Sequence, residues 1–302
     1  MPLAILALLA APLGDPRDVV SDPVFRAIRG ELSGERALGH LREIARHHRI
    51  QASPGYDDAA AYVIEQARAA GLDSVASERF PSDGQIVYGT FLSPLSWSPR
   101  EGELREVSPN PRRICRFPDV ATCLSTLSKG GAWEAEVIDV GPGTRDADYE
   151  RKDVRGRIVL ATGYAGSVHR MAVIERGAVG VVIAPTPSDH PEYPDMVRYN
   201  GLWPTKEEIP KVGFGFQLSA RQSGDLRTEL GAGKVVLHAK VDADLGPGAL
   251  HVVRAEIAGT EPNLPGFLLS AHLDHYLPGA DDNASGSATL LEIGRALVAL
   301  IR

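Results

Sequence analysis

A chain of 302 residues, 43% hydrophobic and 24% charged, has the make-up of an ordinary soluble globular protein with room for one to three domains. Its 32 Lys and Arg against 39 Asp and Glu leave a formal charge of −7, which argues against a nucleic-acid surface and gives no reason to expect binding to anionic lipid. With only Cys115 and Cys123, a cysteine-rich zinc site is excluded; the pair reads as a local disulfide in an exported protein or as two core thiols in the cytosol.

The first thirteen residues, MPLAILALLAAPL, are apolar but too short to span a membrane. They look like the hydrophobic stretch of a secretory signal, although no Lys or Arg precedes them. Residues 1–20 are therefore assigned as a signal segment of a secreted or periplasmic protein, the alternative being a disordered or packed tail. Leu38, Leu41, Ile44 and Ala45 predict a helix over residues 35–49. The run Ala52-Ser53-Pro54-Gly55 breaks it, and a second helix runs to Ala70, where Gly71 stops it. A strand over 72–80 follows. His40, His47 and His48 lie on or near the first helix and point in different directions, which fits surface groups better than a shared metal site.

From residue 82 the composition shifts. The prolines of 81–118 come with no sustained helical period. Strands are predicted at 135–140, 156–161, 179–184, 212–217 and 234–241, with short helices at 167–176 and 219–230. Trp97 and Trp133 read as packing residues, His169 and His190 as structural or exposed. The proline-rich stretch 185–210 is long enough to act as a lid or to be a simple surface excursion. At 250–257 an alternating pattern marks a half-buried strand.

The most informative stretch is residues 266–302, GFLLSAHLDHYLPGADDNASGSATLLEIGRALVALIR. Residues 267–271 predict a short strand buried on both faces, and His272 and Asp274 lie at its carboxyl end. A loop through Pro278-Gly279 leads to Asp281-Asp282-Asn283. A helix then begins, capped by Asn283 or Ser285, with Leu290, Ile293, Leu297 and Leu300 at helical spacing. An imidazole and a carboxylate are good zinc ligands. Asp274, two residues beyond His272, can hold the other ring nitrogen and fix its tautomer. His275 is expected to point away, towards substrate or loop rather than metal.

These residues resemble the co-catalytic zinc exopeptidases that include bacterial leucyl aminopeptidase, aminopeptidase Y and glutamate carboxypeptidase. The resemblance implies that His272 binds one zinc, that Asp274 orients it, and that Asp282 bridges two zinc ions ahead of a cis peptide bond to Asn283. It also implies a Glu-Glu pair holding the general base, a further carboxylate ligand and a distal histidine, all beyond residue 302. Neither Glu256 nor Glu292 is a candidate for that base. The middle section, at Asp139-Val140-Gly141, Asp153 through Leu160 and Ala172 through Val182, is similar to a protease-associated domain.

The expected fold is α/β: a mixed β-sheet with helices on both faces, forming an incomplete zinc exopeptidase core, plus an inserted mostly-β protease-associated domain. The expected division is 1–20 signal, 21–84 first part of the peptidase domain, 85–246 inserted domain and 247–302 zinc-binding part. The expected activity is hydrolysis of peptide substrates by an aminopeptidase-type exopeptidase through water activated by two zinc ions, this chain being its N-terminal part. No nucleic-acid partner and no integral membrane span are expected. Two other outcomes share the same core: an inactive peptidase-like binding module, and a carboxypeptidase or glutaminyl cyclase.

Overall fold

In the computed structural model, residues 20–186, 190–261 and 263–301 are described. The proposed signal segment thus lies outside the described residues except at its last position. The chain opens with helices α1 (Asp22–Glu31), α2 (Gly34–Ala45) and α3 (Pro54–Ala69). Ser33 and Ser53 cap the second and third, accepting from the backbone N–H of Arg36 and Tyr56, and Pro54 supplies a preset first turn to α3. The helix predicted to reach residue 49 stops at Ala45, because Arg49 leaves it to pair with His275.

Strand β1 (Asp73–Ser82) pairs antiparallel with β11 (Gly248–Glu256), the partners running from Asp73 opposite Glu256 to Ser82 opposite Gly248. Everything between these two strands is an excursion from them. It holds a small hairpin, β2 (Val87–Tyr88) and β3 (Phe91–Leu92). Next come β4 (Ser96–Ser108), β5 (Arg112–Phe117), β6 (Gly131–Asp139), β7 (Ile158–Ala161) and α4 (Ala165–His169). The excursion ends with β8 (Gly180–Ile183), β9 (Phe214–Gln217), α5 (Ala220–Ala232) and β10 (Val236–Gly246).

Seven of these strands form one mixed sheet in the order β5-β4-β10-β6-β7-β8-β9. The first three interfaces are antiparallel and the last three parallel. Period-two alternation explains how the parallel half is held. Ile158, Leu160 and Val182 face one core with Trp97, Phe214, Phe216 and Leu226 of α5. Val159, Ala161, Val181 and Ile183 face the other, with Val168 of α4. Every residue of β7 and β8 is consequently buried, as expected of strands covered by helices on both faces. The helix expected at 167–176 begins at Ala165 and widens over Arg170–Ile174, where the Glu175 N–H reaches back to the Arg170 carbonyl. Cys115 and Cys123 are free thiols buried in this first core.

Trp97 is fully buried with its indole N–H on the Ser128 carbonyl at 2.9 Å, and Trp133 packs on Phe214, so both are packing residues. His169 is a buried structural histidine whose Nε2 accepts from the Gly213 N–H at 3.0 Å. Burial pushes its pKa from 6.5 down to about 4. The unfolded chain therefore takes up this proton first. The stabilisation is complete above pH 6.5 and is lost as pH falls from there towards 4. His169→Gln keeps an acceptor but cannot titrate. Its stability, measured by denaturant unfolding from pH 7 to 5, should fall less steeply than wild type, by up to ~1.4 kcal/mol per pH unit. Parallel curves would show that His169 does not contribute.

The third core joins α2, α3 and α6 (Ser285–Ile301) to the β1–β11 pair through Ile44, Ala67, Ala284, Ala288 and Leu291, with Leu72, Val75 and Ala255 against them. The buried stripe of α6 is Ser287, Ala288, Leu291, Ala296 and Val298, so the expected stripe of Leu290, Ile293, Leu297 and Leu300 is rotated away. Small side chains win this face because they let α2 and α6 approach closely. Residues 280–301 form a helical stretch long and apolar enough to cross a membrane by length and composition. It packs here against α1, α2 and α3 and carries a buried Glu292.

One expectation fails. Residues 267–271 form no strand, and Phe267, Leu268 and Leu269 are 102%, 90% and 57% exposed. Among the described residues no neighbouring strand pairs with them. A parallel strand without a ladder has neither its hydrogen bonds nor its buried faces.

Candidate metal centre

His272, Asp274 and Asp282 come together although their backbones sit in different structures. His272 and Asp274 lie in the coil after the exposed run, and Asp282 lies where the chain turns into α6. The His272 Nε2 is 2.9 Å from the Asp282 Oδ1. On its other side the His272 Nδ1 is 3.3 Å from the Asp274 Oδ1 and 3.1 Å from the Asp274 carbonyl. With the proton on Nδ1 and donated to Asp274, Nε2 would be left free for a cation shared with Asp282.

The helix start is built as the sequence suggests. Asn283 Oδ1 accepts from the Gly286 N–H at 2.9 Å and is the cap, while the Ser285 hydroxyl donates instead to the Asp281 carbonyl. The Asp282–Asn283 peptide bond is cis. Asp281 and Asp282 lie in the short stretch Ala280–Ala284 just ahead of α6, and the backbone at Asp282 is non-helical, at φ -112° and ψ 96°. Gly279 precedes it at φ 49°, a left-handed conformation. A Cβ there would lie 2.6 Å from the His275 Nδ1, so both backbone and space call for glycine.

His275 behaves differently from expectation. Its Nε2 is 3.3 Å from the Asp282 Oδ2, so Asp282 is flanked by two imidazoles, one on each oxygen. The expectation assumed an extended strand, in which neighbours point to opposite sides. The chain instead forms an isolated antiparallel bridge at His275, whose N–H donates to the Arg49 carbonyl at 2.8 Å, and bends over 276–278. Beyond it, Tyr276 stacks on Tyr199 of the proline-rich stretch with ring centroids 3.7 Å apart.

Two residues outside the motif complete the surroundings. Gln51 Nε2 donates to the Asp274 Oδ2 at 3.0 Å, tethering the carboxylate that holds His272. Arg49 is fully buried beneath the loop, and only its sequence distance hid it. It sits among Arg46, His47, His48 and Gln51, a polar stretch in which nothing local sets it apart. The three early histidines share no site. His40 bonds the Tyr62 hydroxyl, His47 approaches Asp58, and His48 packs edge-on against Trp97 and Phe117. Burial pushes His48 down to about 4, so it turned out to be a neutral packing ring rather than a surface group. Glu292 is also structural. It accepts from the Ser33 N–H and the Arg295 guanidinium, which holds its carboxyl below the usual range, while Glu256 sits exposed on β11.

An imidazole and a carboxylate are the side-chain types that zinc takes. A tetrahedral ion bonded at about 2.0–2.2 Å holds neighbouring donors roughly 3.4 Å apart; the His275–Asp282 spacing of 3.3 Å is close to this and the His272–Asp282 spacing of 2.9 Å is shorter. Among the described residues, no group of three or more His, Cys, Asp or Glu side chains is arranged to enclose a metal ion.

Residues 253–301 match peptidase family M28. A peptidase M28 precursor from Shewanella amazonensis SB2B has the same fold with a TM-score of 0.68 and 17% identity, over 94% of this chain and 65% of that one. An aminopeptidase from Aneurinibacillus sp. strain AM-1 matches with a TM-score of 0.58 and 22% identity, over 91% and 61%. A zinc aminopeptidase from Bacillus subtilis, BSAP, matches with a TM-score of 0.57 and 18% identity, over 88% and 58%. The chain has the mixed α/β fold of these aminopeptidase structures and spans less than two thirds of their length. No curated protein sequence matches it.

Proposed function

We propose that the chain is part of a zinc-dependent exopeptidase of aminopeptidase type. The observation that carries this reading is the facing pair His272 and Asp282, with Asp274 on the far nitrogen of the ring, inside the segment that matches peptidase family M28. His272 and Asp282 would hold metal, and two ions are expected in the whole protein. Zinc bound there would polarise a peptide carbonyl and lower the pKa of water to ~7. The residues of this chain do the preparatory work. Asp274 keeps the proton on Nδ1 of His272, and Gln51 keeps Asp274 in place. The seven-stranded unit within 85–246 is read as a protease-associated domain that shapes the substrate cleft, which the Tyr199–Tyr276 stack beside His275 supports. Export, and a substrate bearing a free amino terminus, belong to the same proposal.

The test is zinc content by elemental analysis together with release of amino acids from a peptide mixture. Bound zinc with amino-terminal release supports the reading, and a zinc-free, inactive chain that binds peptides favours the binding module. His275→Ala separates the two imidazoles. If His275 only steadies Asp282, zinc affinity should fall by about tenfold, in the range of groups that act through a ligand. Complete loss of zinc would make His275 a ligand.

A further inference from the structure

We propose that Arg49 is the positioning residue of the candidate metal centre, clamping the loop that carries His272, Asp274, His275 and Asp282. This inference rests on the metal-site reading above. The geometry is unusual for a cation. The guanidinium is fully buried, and its five short contacts are all backbone carbonyls rather than carboxylates. Nε donates to Leu273 at 2.8 Å and the outer nitrogens to Pro278 at 3.3 Å and Gly279 at 2.9 Å. The remaining bonds go to Ile44 in the last turn of α2 at 2.9 Å and to His47 just past its end at 3.1 Å. Leu273 lies between His272 and Asp274, and Pro278-Gly279 begin the turn into Asp282. The Arg49 carbonyl adds a sixth tie by accepting from the His275 N–H at 2.8 Å.

One residue therefore fixes both ends of the ligand loop to the first helical layer. A buried charge must be compensated by hydrogen bonds, and here the compensation comes entirely from the segment that orients the ligands and from the helix end beneath it. Burial lowers the Arg49 pKa to about 10, with Asp274 opposing the shift, so the clamp is charged at neutral pH. Lysine keeps the charge but cannot fork towards five carbonyls.

The test compares wild type, Arg49→Lys and Arg49→Met in the 302-residue chain. Hydrogen–deuterium exchange on chelator-treated protein follows residues 272–283, with β10 as the internal reference. Zinc affinity is then measured by competition with a chromophoric chelator. Arg49→Lys should speed exchange of the loop by about tenfold with β10 unchanged. It should weaken zinc binding by about 10–100-fold, the range for residues that orient ligands. Unchanged loop exchange and zinc affinity within about twofold overturn the proposal. So does faster exchange of loop and β10 together in both variants, or their failure to fold, since Arg49 would then support the whole fold. Should wild type itself bind no zinc, the metal reading falls, while the exchange measurement still decides whether Arg49 holds the loop.

Discussion

His272→Ala should lower zinc affinity by more than about 100-fold, equivalent to roughly 3 kcal/mol, with the far-ultraviolet circular dichroism unchanged. The ring supplies the nitrogen that faces Asp282 Oδ1, and its side chain is 51% exposed, so its removal leaves no cavity. Asp282→Ala should behave alike, its side chain being 62% exposed. Asp274→Ala should be milder, about 10–100-fold, because it acts on His272 rather than on metal. Equal losses for all three would make Asp274 a ligand, and no loss in His272→Ala would move the centre elsewhere. Isothermal titration with zinc distinguishes these outcomes.

Trp97→Ala should cost about 3–5 kcal/mol of stability, the usual range for deleting a buried aromatic side chain. Trp97 is wholly enclosed at the start of β4, and its loss would also strip the Ser128 carbonyl of its donor and the His48 ring of an edge contact. Urea unfolding followed by circular dichroism measures it. A cost below about 1 kcal/mol would mean that the surroundings collapse into the gap and that this corner of the core is loosely specified.

Legibility in the sequence followed how local each signal is. Caps, glycine stops and helical periods lie within a few residues of what they control, and α2, α3, α5 and the parallel strands appeared close to where they were predicted. Strands β4 and β5 did not, because arginines, glutamates and prolines crowd them. Their alternation becomes visible only once Trp97, Leu104 and even Glu106 are seen to point inward. Glu106 is inside because Arg112 pairs with it from the neighbouring strand. Helix α1 escaped for another reason: none of its residues is buried, so its periodicity marks only a loosely applied face.

The candidate site divides the same way. His272, Asp274, Asp282 and the Asn283 cap belong to a compact motif whose spacing carries its chemistry. Arg49 and Gln51 meet that motif only through folding, from more than 220 positions away, and no local pattern announces the meeting. The orientation of His275 was misjudged because it was inferred from a strand that does not form.

Ser82 and Gly248 face each other at the end of the β1–β11 ladder, so the chain leaves for its long excursion and returns at neighbouring points. Partners in such a ladder stand about 5 Å apart. The segment in between therefore behaves as a cassette plugged into one hairpin-like socket. It can lengthen, shorten or be exchanged without forcing the socket to open.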